Sequence, residues 1–553
     1  MTPPRPEPTD IDILEPTDPH TDDEAVADPR RRRLILVTMC VALIGVVASV
    51  SGLNVAQQAI AEDLGASQSQ LLWVINGYTL VLAALLLPVG AIGDRWGRKP
   101  ILILGLVVFS AANLASAFAN TPEMLIGLRI VAGIGAAMIM PVTLAVITTS
   151  FPAHERARAV GTWAGVAGAG GILGLLASAA IIDNATWPWV FAVPLALAGS
   201  ALVSTVIVVP HSREHTEAGF DIRGAVLSAV AVGGLVLGIH EGPERGWTDP
   251  LTVTGLAIGI VSAIVFVRAE LRRDHPLLDV RLFRHRGLAT GSVNLFVVFG
   301  LMFALFLVVI QMLQVIFGYS ALRAAAGLIP MAVLMMPLST AAPTIAHRLG
   351  YRRTVVTGML LLAAGLSLLA LLADVDGGYV SVLPGLLVLA VGVGLAMSPS
   401  TTAITASLPE DKQGVASALN DTAREMGAAM GIALFGSILN AQYRANITDV
   451  AGALPDGLAE PVEEGIGGAL AVSNQLGQGG GALIDAARHA WIDAMRPTML
   501  LAAAVAVAAA AYTGSRKIQT PAAAEPGGGT TDPPVPPSIA AGAADSGVPV
   551  SVE

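Results

Sequence analysis

The amino-acid sequence predicts an all-α integral membrane protein of fourteen transmembrane helices, with both termini on the cytoplasmic side. Three observations carry that prediction. The 553 residues are 54% hydrophobic and only 13% charged, and the mean hydropathy is +0.69; a water-soluble chain needs about a quarter of its residues charged to cover its surface. Apolar stretches of about 20 residues, long enough to cross ~30 Å of hydrocarbon as helix, occur fourteen times. Finally, Arg and Lys alternate in abundance from one connecting loop to the next. With the N-terminus inside, 24 of the 31 basic residues fall on the cytoplasmic side, five fall outside, and Arg129 and Arg424 remain within the membrane. Such a bias fixes orientation and requires an even number of spans.

The spans are placed near 34–53, 71–93, 100–119, 122–149, 160–182, 188–210, 220–240, 250–268, 288–316, 323–346, 353–373, 379–407, 412–439 and 494–513. Lipid offers the backbone no hydrogen-bond partner, so each must be helical; barrel strands would alternate in polarity, and these do not. Residues 1–29 are rich in Pro, Asp and Glu and read as a disordered tail, as does the Pro-, Ala- and Gly-rich end from about Ile518. Arg30 to Arg33 lead straight into a full-length span, unlike a cleaved signal peptide. One cysteine, Cys40, excludes a disulfide framework or a thiolate metal cluster. No phosphate-binding loop, zinc-protease helix or nucleophile elbow is present. No cofactor, metal or nucleic-acid partner is therefore expected, and uphill movement of a solute would have to draw on a gradient or on a separate subunit.

The most specific string is the loop after the second span, Gly90-Ala91-Ile92-Gly93-Asp94-Arg95-Trp96-Gly97-Arg98-Lys99. Glycines allow a tight turn between helices, the cations suit a cytoplasmic rim, and Asp94 is suited to receive a helix N-terminus or an Arg. This string resembles the major facilitator superfamily, and more narrowly its fourteen-span drug:proton antiporter branch, whose Gly-x-x-x-Asp-Arg-x-Gly-Arg-Lys motif it matches in full. A weaker echo, Arg348-Leu349-Gly350-Tyr351-Arg352-Arg353, has His347 where an Asp would stand. The branch is also similar at Phe220-Asp221-Ile222-Arg223-Gly224, Glu241-Gly242, Gly246-Trp247 and His275-Pro276-Leu277-Leu278-Asp279. The resemblance implies a 6+2+6 arrangement. An N-terminal six-helix bundle would span 34–210, two additional helices and a cytoplasmic loop 211–287, and a C-terminal bundle 288–513, with tails at 1–33 and 514–553. It further implies a cytoplasmic-membrane exporter that rocks around a midplane site, with Gly90, Asp94, Arg95, Gly97, Arg98 and Lys99 gating its cytoplasmic side.

Ionisable groups inside the spans are the candidates for chemistry, because each costs at least ~2.5–3.5 kcal/mol unless it meets a partner or water. Arg129, in Leu125 to Ala137, looks like the family's Arg-x-x-Gln-Gly motif with Ala132 at the glutamine position, and the resemblance gives it a part in proton transfer. The fifth span carries Gly165, Gly168, Gly170, Gly171 and Gly174, a close-packing face that resembles the antiporter signature but has Leu175 where its Pro stands. Aligning the first span on Asn54-Val55-Ala56 puts Ser49 where the branch often has an Asp, and serine cannot titrate. Of the 41 acidic residues, two lie near the interior of a span: Asp421 and Glu425. At i and i+4 they share a helix face. Carboxylates so placed resist being ionised together, which a proton carrier needs; alternatively, Asp421 simply pairs with Arg424 while Glu425 reaches toward the rim.

For the substrate pocket, Trp73, Asn76 and Tyr78 match the family's pattern in the second span, and the ninth span supplies Asn294, Phe296, Phe299, Phe303, Gln311, Met312 and Gln314. Aromatic rings and an anionic group in an apolar cavity favour lipophilic cations. Residues 440–493 are expected as a long external loop with a short helix at Leu483–Met495. The function expected is export of amphipathic or cationic compounds by a monomer in exchange for protons. A narrow exporter of one endogenous metabolite or antibiotic without proton coupling is the alternative that Ser49 and Leu175 favour, and a non-transporting receptor is the more distant one.

Overall fold

The computed structural model describes residues 25–210, 220–273, 275–455, 457–477 and 480–516, and no strand occurs among them. The predicted tails, apart from residues 25–33 and 514–516, lie outside the described residues, as do Arg213 and Lys517. The helices are α1 (Pro29–Leu64), α2 (Gln68–Trp96), α3 (Arg98–Ser116), α4 (Pro122–Ser150), α5 (Ala153–Asn184) and α6 (Ala192–Val208). Next come α7 (Ile222–Arg245), α8 (Pro250–Glu270), α9 (Arg286–Gln311), α10 (Ala321–Ala326), α11 (Ile329–Leu349), α12 (Tyr351–Leu372) and α13 (Gly378–Thr405). The chain ends in α14 (Gln413–Ala451), α15 (Ala459–Glu464), α16 (Ile466–Leu476) and α17 (Gly480–Ser515).

Helix starts follow from local chemistry. The first four N–H groups of a helix lack intrahelical partners, and Asp28, Thr121, Asp221 and Asp249 each accept one with their side chain. Ser67 and Gln70 exchange bonds in a capping box. Pro29, Pro122 and Pro250 sit in first turns, where a missing N–H costs nothing. Gly97 turns α2 into α3 with φ of 105°, and Gly350 turns α11 into α12 with φ of 89°. Both angles lie in the left-handed region that favours glycine, so the two related loops share a backbone device although His347 replaces the acid.

Thirteen segments among the described residues are long and apolar enough to cross a membrane. The fourteenth span is α14, whose interior carries Asp421, Arg424 and Glu425. Large apolar side chains such as Val107, Ile207, Ile258, Val261 and Val333 stand exposed on the outside, as a lipid-facing surface requires. Inside, α1 to α6 pack on one another, and so do α9 and α11 to α14 with α17. The α7–α8 pair packs against α2 and α14, and α5 meets α11.

Two expectations need correction. The segment 440–493 is largely helical: α14 continues to Ala451, α17 begins at Gly480 and contains Leu483–Met495, and α15 and α16 lie between them. Its apolar residues explain this, since Tyr443, Ile447, Val462, Ala469, Val472, Leu483, Ala487 and Trp491 are all buried in one core. The span expected at 323–346 is also interrupted, α10 ending before Gly327 and α11 restarting at Ile329-Pro330.

A very tight helix contact lies between α9 and α14, where a Cβ on Gly431 would collide with the carbonyl oxygen of Gly300. Overpacking of this kind costs about 1–3 kcal/mol. Gly431→Ala is therefore expected to lower the thermal midpoint of the detergent-purified protein by several degrees. Gly127→Ala, where an added Cβ meets nothing within 4 Å, should leave it unchanged or raise it; equal midpoints would overturn this account of the α9–α14 contact.

Candidate functional site

A cavity of about 460 Å³ lies between the helices, walled mainly by α1, α2, α7, α9 and α14. Its lining runs from Val46 to Gln57 on α1, from Phe299 to Gln311 on α9 and from Arg424 to Asn440 on α14. All three helices run outward, so the cavity extends from mid-membrane toward the external face. The wall is mostly aliphatic, with Phe299 and Phe303 stacked at 6.2 Å between centroids.

The charged groups at its depth are arranged on one helix. Asp421 is wholly buried and accepts from Arg424 Nη1 at 2.9 Å and from Asn420 Nδ2 at 3.1 Å. Arg424 also lies over the Phe299 ring at 4.5 Å and the Trp163 ring at 5.2 Å. A buried cation is tolerable only with such compensation. Glu425 lines the cavity, and it makes no hydrogen bond or ion pair to any described residue. The two carboxylates thus have different surroundings: Asp421 is enclosed and paired, Glu425 is open.

Arg129 is held elsewhere. Its Nη1 donates to Ser49 Oγ at 2.7 Å, Nη2 to the Ser49 carbonyl at 3.1 Å and Nε to the Val74 carbonyl at 3.3 Å. The guanidinium stands 4.3 Å from the Tyr78 ring centroid, and Ser49 Oγ reaches Asn113 Oδ1 at 3.3 Å. No carboxylate among the described residues pairs with Arg129. The serine at the position of the branch's Asp therefore supplies two neutral acceptors in place of a charge.

The cytoplasmic end is shut. Gly90 and Gly414 approach so closely that a Cβ on Gly90 would lie 2.5 Å from the Gly414 carbonyl oxygen. Asp94 Oδ1 accepts from the Gly414 N–H at 2.8 Å and Oδ2 from the Val415 N–H at 3.1 Å. The motif aspartate thereby caps the N-terminus of α14, where free N–H groups and the helix dipole favour an anion. Arg98 Nη2 grips the same Asp94 Oδ1 at 2.9 Å, and Lys99 Nζ donates to the Val206 carbonyl at 2.8 Å. Arg95 is half-buried in the last turn of α2. On the opposite flank, Ser339 Oγ donates to the Gly161 carbonyl at 3.1 Å, joining α11 to α5. Closed inside and hollow toward the outside, the chain is in an outward-facing arrangement.

Of the expected pocket residues, Asn76, Phe299, Phe303 and Gln311 line the cavity, and Trp73, Tyr78 and Asn294 do not. Tyr78 is buried under Arg129 with its hydroxyl on the Val46 carbonyl at 3.2 Å, and Asn294 Oδ1 accepts from Thr513 at 2.9 Å. Sequence reasoning missed His240 and Glu244, which α7 contributes to the wall. The hydropathy of the seventh span predicts an end at residue 240, whereas the helix continues through Pro243 to Arg245; the helical spacing of Val236, Ile239, His240, Pro243 and Glu244 is the signal that points to this wall.

Residues 37–432 match the Major Facilitator Superfamily, and the chain belongs to that family of membrane transporters. The multidrug efflux pump LfrA of Mycolicibacterium smegmatis is 34% identical over 489 residues, covering 88% of this chain and 96% of its own. The methyl viologen resistance protein SmvA of Salmonella typhimurium is 32% identical over 467 residues, 84% of this chain and 93% of its own. The solved proton:xylose symporter XylE shares the fold at a TM-score of 0.56 and 13% identity, covering 88% of this chain and 96% of that one. The protein is thus a multi-pass transporter of the bacterial cytoplasmic membrane with a small-molecule substrate.

Charge-assisted bonds such as those of Asp94 contribute about 1.5–3 kcal/mol each, enough to hold a two-state equilibrium. Asp94→Ala is expected to speed cytoplasmic maleimide labelling of a cysteine placed at Ala418, buried beneath Gly90, by about tenfold or more. The native Cys40 is buried and gives little background. An unchanged labelling rate in a folded protein would remove the latch role from Asp94.

Proposed function

We propose that this chain exports lipophilic cations and related amphipathic compounds by alternating access, in exchange for protons arriving from outside. The observation that carries the reading is Glu425: a carboxylate without a partner among the described residues, at the depth of a mostly aliphatic cavity that carries the stacked Phe299 and Phe303 and faces outward. A cation in that cavity and a proton on that carboxylate are alternatives, because either one neutralises the same charge. Competition for one site is sufficient for antiport. Cation release to the outside leaves Glu425 charged, a proton replaces it, and the neutralised cavity is then free to close outside and open inside. Asp421 and Arg424 hold each other neutral beneath it and keep the local charge dominated by Glu425.

Further support comes from the relatives, which are named for multidrug efflux and for resistance to methyl viologen and antibiotics. Arg129, held by Ser49 and over Tyr78, fixes α4 against α1 and α2. We assign it the secondary part of easing charge redistribution during rocking. The lack of an acid at position 49 favours one second reading, a narrow exporter of an endogenous metabolite or antibiotic without proton coupling, in which Arg129 is purely structural.

The two readings separate in one experiment. Addition of tetraphenylphosphonium to the purified protein in weak buffer is expected to release protons, and Glu425→Gln should abolish the release while the protein still folds. In inverted vesicles the same variant should lose at least about tenfold of its proton-driven uptake of the cation, the cost of one charged contact. Asp421→Asn strands a buried guanidinium, which costs about 3–5 kcal/mol, and is expected to lower folded yield first. Proton release that persists in Glu425→Gln, or is absent from the wild type while transport proceeds, would overturn coupling through this residue.

A further inference from the structure

The α7–α8 pair is an addition to the six-plus-six plan, and a spacer would need only to fill the gap beside α2 and α14. Instead, Val236, Ile239, His240, Pro243 and Glu244 of α7 form a stripe at helical spacing along the cavity wall. Glu244 makes no hydrogen bond or ion pair to any described residue. Its neighbour Glu241 takes Arg245. Two further polar groups on the wall lack partners: Nδ1 of His240, and Nε of Arg424, a residue only 3% exposed.

The ionisable groups lining the cavity are Glu244, Glu425, Arg424 and His240. Arg424 is neutralised by Asp421, so two carboxylates remain without a counter-charge. They stand at different depths. Both α7 and α14 start at the cytoplasmic side; at 1.5 Å per residue Glu425 lies roughly 18 Å along its helix and Glu244 roughly 33 Å along its own. A single positive centre neutralises one of them; a molecule with two, spaced by roughly 15 Å and joined by an apolar body, neutralises both.

We propose that α7 is part of the transport pathway, and that Glu244 is a second anionic subsite at the cavity mouth. The site then takes elongated lipophilic dications, one positive centre at Glu425 and the other at Glu244, with the connecting chain along Phe299, Phe303 and the aliphatic wall. The proposal rests on the reading that this cavity carries lipophilic cations, and its test separates the two.

The probes are tetraphenylphosphonium, with one positive centre, and dequalinium, with two quinolinium rings joined by a ten-carbon chain. Uptake of each is measured in inverted vesicles holding the full chain. Glu244→Gln is expected to raise KM for dequalinium about tenfold, and for tetraphenylphosphonium by about threefold at most. Glu244→Asp should recover most of the dication affinity, and Glu425→Gln should weaken both cations. Asp249→Asn, which keeps a capping side chain at the start of α8 and removes a charge outside the cavity, controls for general surface potential and should shift neither. Equal shifts for both probes in Glu244→Gln, no shift for either, or a wild type that carries tetraphenylphosphonium but not dequalinium would overturn the subsite. A wild type that moves neither cation overturns the exporter reading, and the subsite falls with it.

Discussion

Every ionisable group inside this protein answers to one constraint: a charge held in hydrocarbon must be compensated or given water. Arg129 meets it with two carbonyls, a hydroxyl and an aromatic face. Arg424 meets it with Asp421 and two rings, and Asp94 with Arg98 and the N-terminus of α14. Glu425 alone among the membrane-interior carboxylates singled out by sequence has no fixed partner and faces the cavity. Where a charge is compensated inside the protein it stabilises a particular packing. Where the compensation must come from a solute, the charge becomes a means of recognising one.

That distinction separates Asp421 from Glu425, which the sequence presents as equivalent. They lie four residues apart on one helix face, and nothing in their spacing says which would take Arg424. Packing decides it: Arg424 is pinned between Phe299 of α9 and Trp163 of α5, which turns its guanidinium to Asp421. The rings come from helices far away in the chain, so the choice was invisible in the local string. The same holds for Tyr78, whose motif position suggests a pocket residue. Burial of Arg129 beside Ser49 draws that ring away from the cavity and under the guanidinium.

Orientation and span positions were legible because bilayer thickness and the distribution of Arg and Lys are global constraints that every segment must satisfy. The cytoplasmic contact was legible because its residues are contiguous, from Gly90 to Lys99, although their target, the first turn of α14, was not. The ends of helices were harder. Hydropathy stops counting α7 at residue 240, yet the backbone continues helically through Pro243 to Arg245, and this overhang carries Pro243 and Glu244 into the cavity wall beside His240. The external segment after α14 misled for a related reason. Its many Gly and Ala residues resemble a linker, but Tyr443, Ile447, Val462, Leu483 and Trp491 supply enough apolar surface to fold it.

The placement of Glu425 and the latch on the same helix bears on mechanism. α14 runs unbroken from Gln413, and its first turn is capped by Asp94 from the other half of the chain. Glu425 follows about three turns later, close to 18 Å away along a rigid rod. In the proposed exchange, neutralising Glu425 would remove the need to keep water around it and so favour a state in which the outer cavity is closed. A helix that pivots inward at its outer half must swing its N-terminus outward, away from Gly90 and Asp94. Under the proposed exchange, the bonds at that end would set how much free energy the proton or the cation must supply before the swing occurs, since a ligand shifts an equilibrium only by its differential affinity for the two states. The proposed coupling needs no relay of residues; one stiff helix carrying a carboxylate at mid-membrane and a breakable cap at its end would be a physical two-state element that both sites bias.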